Sequence, residues 1–164
     1  MIPDMSSTDV TVLYCERWNN KQKTPIFPMS EDEARARHDS GELYTAVLGD
    51  HETPTIVEVF LAEGYVGVRW LEPHGKDAMR YAFRRTDDRL FLSEVAINTV
   101  SAEGKVVEAE STLIKPDGTV EVSLFDNVNR TVKAAEPTTG NDVTAMWEDI
   151  PQFGDYASIT RRER

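Results

Sequence analysis

The sequence predicts a mainly β protein, in which about eight to ten strands form a single antiparallel meander with one short surface helix near the N-terminus. Three observations predict this fold. Apolar and polar residues alternate in short segments from Glu42 onward, which is the pattern of half-buried strands. Short turn-rich pieces such as EPHGKD, SAEG and PDG separate these segments, and no helical crossover for parallel pairing lies between them. A long twisted meander tends to curl, so we expect an open or half barrel.

The chain length of 164 residues suits a single domain. We expect a β-rich domain over residues 9–156, a flexible N-terminal tail at 1–8 and a basic C-terminal tail at 157–164. The one cysteine, Cys15, excludes an internal disulfide bond and favours a reducing compartment. The N-terminus lacks the pattern of a secretory signal, and no apolar run approaches the ~18 residues of a membrane span. We therefore expect a cytoplasmic protein without a membrane partner.

The charge balance excludes one class of partner and favours another. The formal net charge is −11, whereas nonspecific nucleic-acid binding needs Lys and Arg side chains that displace counterions from phosphates. An acidic excess commonly serves solubility, and the same field also steers a basic partner into contact. We therefore expect no nucleic-acid partner and consider a basic protein as the candidate partner.

A helix is predicted over the segment SEDEARARHDSG, which begins at Ser30 and ends at Gly41. Ser30 can cap the first turn, Glu33 can reach back as the capping-box partner, and Gly41 provides a stop. The apolar residues of this segment are Ala34 and Ala36. We therefore expect the helix to lie on the surface.

Two segments before this helix leave alternatives open. Residues 9–18 alternate apolar and polar side chains and suit either a strand or a helix. The segment TPIFPM, with its two prolines, suits a linker or an extended edge strand, since proline on an edge discourages pairing with another chain. A long meander also leaves edges that must be covered, charged or paired, so we expect either a monomer or a dimer paired through a sheet edge.

The stretch STLIKPDGTVEVSLFD predicts the register of two strands joined by a hairpin. A three-residue PDG loop with Gly118 in the left-handed conformation places Ile114 opposite Val120. Alternation then places Glu110 opposite Leu124. Apolar side chains of both strands therefore share one face.

The neighbouring loops extend this register in both directions. A three-residue NVN loop places Val132 opposite Leu124, and a four-residue SAEG loop places Ile97 opposite Glu108. The opposite face then carries a mixture of leucines and polar residues, as expected for a sheet that is partly exposed to water. The predicted core face collects Phe91, Val95, Ile97, Ile114, Val120, Val122, Leu124 and Val132.

Two pairs of charged residues are the candidate ligand-binding side chains. The predicted register places Glu108 and Glu110 on the core-facing side, where buried carboxylates would orient a cationic or hydrogen-bonding group. The alternative is that both lie at the open end of the sheet, in water. Arg80 and Arg84 share one strand face, where they suit either a clamp for phosphate or carboxylate or cross-strand ion pairs.

The C-terminal run AMWEDIPQFGDY supplies the candidate partner-binding residues. Trp147, Phe153 and Tyr156 either pack over an open end of the sheet or form an exposed anchor patch, because aromatic residues dominate interface hot spots. Aromatic residues next to proline and glycine often hold a terminal loop in place, and this favours packing.

The sequence carries no motif for catalysis or for metal or cofactor binding. His38, His51 and His74 lack metal-ligand spacing with one another or with Cys15, and the glycines form no phosphate loop. We therefore predict no metal, no cofactor and no catalytic residue.

Three classes of function remain. The preferred one is an acidic cytoplasmic protein that captures or inhibits a basic protein, as an immunity protein neutralises a toxin. The second is a curled sheet around a small apolar ligand, lipocalin-like by analogy only, with Arg80, Arg84 or Glu110 orienting the polar end of the ligand. The third is an enzyme that uses a carboxylate in the sheet cavity as a general base.

Overall fold

The computed structural model describes residues 11–164, and the tail expected at 1–8 lies outside the described residues. The described residues form one α-helix, α1 (Glu31–Ser40), and two 3-10 turns, Leu61–Glu63 and Thr144–Met146. Their strands are β1 (Val12–Asn19), β2 (Thr24–Met29), β3 (Tyr44–Leu48), β4 (Thr55–Phe60), β5 (Tyr65–Leu71), β6 (Asp77–Thr86), β7 (Arg89–Val100), β8 (Val106–Ile114), β9 (Val120–Asp126), β10 (Thr131–Ala134) and β11 (Trp147–Asp149). The prediction of a mainly β fold with one short helix near the N-terminus is confirmed.

The eleven described strands belong to one antiparallel sheet. Its order is β10-β9-β8-β7-β6-β5-β4-β3-β1-β2, so most neighbours in the sheet are also neighbours in the chain, as predicted for a meander. The sheet is not closed, and β10 and β2 form its edges. Strand β11 pairs with the first residues of β7, whereas β8 pairs with β7 from Glu94 onward. Two different strands therefore occupy the same side of β7 in succession.

The N-terminal region resolves both alternatives that the sequence left open. Residues 12–19 form a strand, which pairs with β2 and β3. The segment TPIFPM forms β2, the edge of the sheet on this side, and carries Pro25 and Pro28. Phe27 between them has a left-handed φ of 51°. Prolines and irregular backbone protect this edge against pairing with another chain.

Helix α1 begins and ends at the predicted residues. The Ser30 hydroxyl oxygen accepts a hydrogen bond from the Glu33 backbone N–H at 3.1 Å, and Gly41 follows the helix with φ 80°. A Cβ at Gly41 would lie 2.9 Å from the Ala62 backbone nitrogen, so both conformation and space require glycine there. Ala34 is the buried residue of the helix, which lies on the surface as predicted.

The main core lies on one face of the sheet, which we call the core face. Its buried side chains come from β1, α1, β3 to β7 and residues 150–164, which we call the C-terminal segment. These side chains are Tyr14, Ala34, Tyr44, Ala46, Val57, Val59, Val66, Val68, Trp70, Tyr81, Phe83, Leu90, Leu92, Tyr156 and Ile159. A smaller buried cluster joins Cys15, Trp18, Val47, Ile56 and Leu71. Neither cluster includes a residue of β8, β9 or β10. In these strands Ile114 is buried, as predicted, and the other residues are half-buried or exposed, so most of their length extends beyond the core.

An irregularity in β7 corrects the predicted core face. The pairing of β6 with β7 shifts after Ala82, so that Ser93 is an extra residue in β7. An extra residue moves the side chains that follow it to the other face. Leu92 therefore shares the core cluster with Val95, and the prediction that Phe91 lies on the face of Val95 is wrong.

The β8–β9 hairpin has the predicted register. Ile114 pairs with Val120 and Glu110 pairs with Leu124. Gly118 in the PDG loop is left-handed with φ 89°, as the loop prediction requires. Turn chemistry alone was sufficient here because the loop residues fix the pairing of the strands they join.

The β9–β10 hairpin differs from the prediction by one residue. Its loop includes Arg130, which takes the left-handed conformation with φ 56° in place of the predicted Asn129. Val132 consequently pairs with Phe125 rather than with Leu124. A shift of one residue reverses the face, so the prediction of Val132 as a core residue is wrong and its side chain is 62% exposed.

The β7–β8 hairpin differs from the prediction by two residues. The SAEG loop extends to Lys105, the pairing shifts by a further residue between Thr99 and Val100, and Ile97 pairs with Glu110 rather than with Glu108. A shift of two residues keeps the predicted face, because side chains alternate with period two. The prediction that Ile97 is buried there is wrong, since its side chain is 46% exposed.

A buried ion pair holds the C-terminal segment on the core face. Glu148 in β11 is 8% exposed, and its Oε1 accepts hydrogen bonds from Arg161 at 2.5 Å and from Arg164 at 2.6 Å. Ile159 is fully buried. The residues 157–164, expected as a basic tail, thus contribute a core side chain and both cations of this ion pair.

Replacing Glu148 with glutamine is expected to destabilise the protein by about 3 kcal/mol, because a buried arginine then loses its counter-charge. Asp149→Asn is the matched control, since the neighbouring Asp149 side chain is 94% exposed and should change stability by less than about 0.5 kcal/mol. Urea denaturation of both variants measures the difference. Equal losses in the two variants would contradict an anchoring role of Glu148.

Candidate functional site

The part of the sheet beyond the core carries an exposed surface of acidic and apolar side chains. Ile97 pairs with Glu110, Glu110 pairs with Leu124, and Glu108 pairs with Asp126. Directly paired residues, and residues two apart on a strand, share a face. These five side chains therefore lie together, and we call them the acidic face. Lys133 of β10 pairs with Leu124 and lies at the edge of this face.

The acidic face continues the core face, but it is open to solvent. Glu108 and Glu110 lie on the core-facing side as predicted, and both are exposed rather than buried. Their placement corresponds to the alternative in which both side chains lie at the open end of the sheet, in water. The two carboxylates therefore face water and do not line a closed cavity.

Glu108 and Asp126 form a like-charge pair across two strands. They occupy directly opposed positions of β8 and β9, and on its other side Glu108 pairs with the uncharged Thr99 of β7. Within residues 11–164, no basic side chain lies within 4.0 Å of the carboxylates of the acidic face. Like charges directly opposed destabilise a sheet.

Asp126 is held in its ionised form by the turn that follows it. Its carboxylate accepts hydrogen bonds from the backbone N–H of Asn129 at 3.0 Å, from the Asn129 side chain at 2.8 Å and from the backbone N–H of Val128 at 3.0 Å. These hydrogen bonds, those from Asn129 foremost, and to a smaller extent the positive charge of Lys133 lower the pKa of Asp126 below its ordinary value. Protonation of Asp126 therefore does not relieve the repulsion near neutral pH.

Glu108 and Glu110 were predicted from the sequence, whereas Asp126 and the exposure of Ile97 were not. The sequence did contain a signal for Asp126. When the register fixed by the PDG loop is continued to the end of the hairpin, Asp126 lies opposite Glu108. The exposure of Ile97 had no local signal. It depends on where the C-terminal segment packs, which is a property of the whole chain.

Arg80 and Arg84 lie on the face opposite the core and do not form a shared anion site. Arg80 donates to the Glu94 carboxylate at 3.0 Å, as the cross-strand alternative predicted. The Arg84 guanidinium lies 4.9 Å from the ring centre of Tyr65. Each arginine therefore has its own protein partner, and neither lies on the face that carries Glu108 and Glu110.

A third arginine on that opposite face was not singled out from the sequence. Arg69 donates to Glu58 at 2.8 Å and to Asp77 at 3.2 Å. Arg69 and Arg80 are directly opposed on neighbouring strands. Each of these two positive charges is neutralised by carboxylates of neighbouring strands. This face is thus ionic but internally balanced.

The C-terminal aromatic residues pack into the protein instead of forming an exposed patch. Trp147 packs against Phe91 with ring centres 4.9 Å apart, and Phe153 stacks on Tyr14 at 5.1 Å. Tyr156 is 4% exposed. These contacts correspond to the packing alternative for Trp147, Phe153 and Tyr156.

A hydrogen-bonded chain of side chains joins helix α1 to the C-terminal segment. The Tyr44 hydroxyl lies 2.8 Å from His38 Nδ1 and 3.0 Å from the Tyr156 hydroxyl. Burial lowers the pKa of His38, an effect that the nearby Asp39 carboxylate partly opposes. Phe153 packs against the His38 ring, so the neutral imidazole is the form that suits this site.

The structure gives no support to a nucleophile or a metal site in residues 11–164. Burial raises the pKa of the Cys15 thiol to about 11, which disfavours the reactive thiolate. Among the described residues no group of His, Cys, Asp and Glu could hold a metal ion. No described helix has the length and apolar character needed to cross a membrane.

Two cavities near the surface lie away from the predicted ligand face. One of about 610 Å³ lies around Asn20, His74 and Asn98, and one of about 600 Å³ lies around Val12 and Met29. Neither is lined by the apolar residues that a ligand inside the curled sheet was expected to contact. Their surroundings therefore do not correspond to the carrier hypothesis.

Comparison of the chain with protein-family models, with curated proteins and with solved structures found no significant match. The function is therefore inferred from the residues of this chain alone.

The half-buried His38 is expected to make stability fall at mildly acidic pH. Its pKa in the folded protein lies below the ordinary value of 6.5, so below about pH 6.5 the unfolded chain takes up a proton that the folded protein resists. The free energy of unfolding should decrease from about pH 7 to about pH 5.5 in the wild type and decrease less in His38→Gln. Urea denaturation across this range measures both slopes.

The exposed His74 provides the control for this measurement. His74→Gln should keep the wild-type slope. Aspartates whose pKa is lowered act below about pH 4 and therefore do not interfere. A slope that is unchanged in His38→Gln would show that His38 does not carry the pH dependence.

Replacing Glu108 with lysine is expected to raise the urea midpoint, because the change converts a like-charge pair with Asp126 into an opposite-charge pair. Glu42→Lys is the control, since Glu42 is exposed and this substitution changes the net charge by the same amount. The gain of Glu108→Lys over the control should shrink at high salt. Equal midpoints for the two variants would remove the case for repulsion at this position.

Proposed function

We propose that this protein is a cytoplasmic acidic binding protein that captures a basic protein partner and blocks its action, without catalysing a reaction. The observation that carries the proposal is the like-charge pair of Glu108, which is exposed, and Asp126, which is half-buried, on the part of the sheet beyond the core. Residues that lower stability without an internal benefit are typical of binding sites. A cation supplied by a partner would turn this repulsion into attraction.

The way the molecule uses its arginines supports the proposal. Six of the arginines are already engaged with internal carboxylates, so their charges do not offset the rest of the acidic excess at the surface. The arginines with a carboxylate within 4.0 Å are Arg35, Arg69, Arg80, Arg89, Arg161 and Arg164. The remaining acidic residues provide an outward negative field, which raises the rate of encounter with a basic protein.

Part of this field is fixed by turn geometry. Asp50, Asp117, Asp126 and Asp142 accept hydrogen bonds from backbone N–H groups in turns. These bonds contribute to lowering the pKa of each carboxyl group below its ordinary value. The four charges therefore persist at neutral and mildly acidic pH, as a constitutive binding protein requires.

The test is capture of a basic protein followed by kinetics with the purified pair. Immobilised protein is exposed at low salt to native lysate of its source organism, and the bound protein is purified and titrated back. We expect one basic partner in a 1:1 complex, loss of the partner's activity on binding, and an association rate that falls about tenfold or more as salt rises from about 50 to 500 mM.

An unrelated acidic protein of similar net charge serves as the control for nonspecific retention. Recovery of the same basic proteins by both baits would mean that the net charge alone is responsible. Recovery of no basic protein, or an association rate that does not respond to salt, would overturn the proposed function.

A further inference from the structure

We infer that the acidic face is the docking surface for the partner, and that it takes a segment of the partner in which an arginine or lysine stands beside an apolar side chain. This inference rests on the proposed function, since it assigns the place and the chemistry of the same binding event. The acidic face joins Ile97, Glu108, Glu110, Leu124 and Asp126.

The strand register arranges these side chains in two rows across the sheet. One row runs Ile97, Glu110, Leu124, and the next contains Glu108 and Asp126. Neighbouring strands lie about 4.8 Å apart, and residues two apart on a strand are about 6.8 Å apart. Two apolar side chains therefore stand on either side of one carboxylate, next to a pair of carboxylates.

A guanidinium or ammonium group fits between Glu108 and Asp126. The two carboxylates are directly opposed, and a planar guanidinium can donate to both at once. Asp126 remains ionised, so it offers a negative charge to the cation. Apolar contact with Ile97 and Leu124 would exclude water from this ion pair, and water exclusion strengthens it.

Charge complementarity selects a basic protein among the occupants of this face. A second copy of the chain would bring the same carboxylates against Glu108 and Glu110, and nucleic acid would bring phosphates, so both would be repelled. Among the chain's own basic residues, Lys133 pairs with Leu124 on this face and offsets part of its negative charge, whereas the arginines of the C-terminal segment are engaged elsewhere. Arg161 and Arg164 bind Glu148, and the Arg162 guanidinium lies over Trp70 at 5.3 Å.

The experiment uses the full chain and three short synthetic peptides as probes. The first peptide carries arginine and leucine on one face, the second has glutamine in place of arginine, and the third has serine in place of leucine. Backbone amide shifts of the protein locate the bound peptide, and fluorescence anisotropy gives its affinity. We expect the first peptide to shift amides of β7, β8 and β9 near the acidic face and to bind more tightly than the other two.

Two double variants of equal net charge distinguish binding at the acidic face from attraction by the net charge of the whole protein. Glu108→Gln/Glu110→Gln should weaken the first peptide on the order of tenfold. Glu42→Gln/Glu63→Gln, two exposed positions elsewhere, should keep wild-type affinity. The amide spectrum of each variant verifies that it is folded. Equal weakening in both variants, or shifts away from β7 to β9, would overturn the inference.

The result also distinguishes this inference from the proposed function. If a basic partner is captured and both double variants bind it equally, the proposed function stands and the docking surface is wrong. If the peptide binds the acidic face but no basic partner is captured, the acidic face binds basic segments and the proposed function is wrong. Shifts that grow with protein concentration in the absence of peptide would instead assign the face to a second copy of the chain.

Discussion

A buried carboxylate is stable only when cations and donors satisfy it, and Glu148 is satisfied by Arg161 and Arg164 from the C-terminal segment. This contact brings residues 150–164 onto the core face, where Ile159 is fully buried. The Arg164 guanidinium also lies 5.2 Å from the ring centre of Phe83, so the ion pair is continuous with the aromatic core. Folding of the core face therefore depends on a contact between β11 and residues more than ten positions further along the chain.

The extent of this covering segment determines where the sheet is left open. Helix α1 and residues 150–164 cover strands up to β7, and the two buried clusters contain no residue of β8, β9 or β10. Those strands remain in the sheet through backbone pairing, so both of their faces meet solvent over much of their area. On the core-facing side this exposes Ile97 beside the carboxylates, and on the other side it exposes Phe125 and Val132. The acidic face is thus a consequence of how far the C-terminal segment reaches.

Local chemistry made the fold and one hairpin predictable, whereas non-local packing did not. The PDG loop fixed its register because aspartate and glycine fill the positions that such a turn requires, and Gly118 has the expected positive φ. The next loop failed because Arg130 adopts the left-handed conformation, which arginine rarely does. The extra residue Ser93 in β7 has no signal of its own in the sequence, and it reversed the face of Phe91. Glu108 and Glu110 were found from alternation and Asp126 was not, and the exposure of the site depends on the C-terminal segment.

The arrangement of the acidic residues bears on whether they serve solubility or binding. A soluble surface needs net charge, and charge at scattered positions such as Glu42 and Glu63 provides it without any cost in pairing. Directly opposed carboxylates add nothing further to solubility and reduce the stability of the sheet. A binding surface, by contrast, needs carboxylates at a spacing that one cation can bridge, with apolar side chains beside them to exclude water. Glu108 and Asp126 are directly opposed, and Ile97 and Leu124 lie beside them. This arrangement meets the requirement of a binding surface, whereas solubility does not require it.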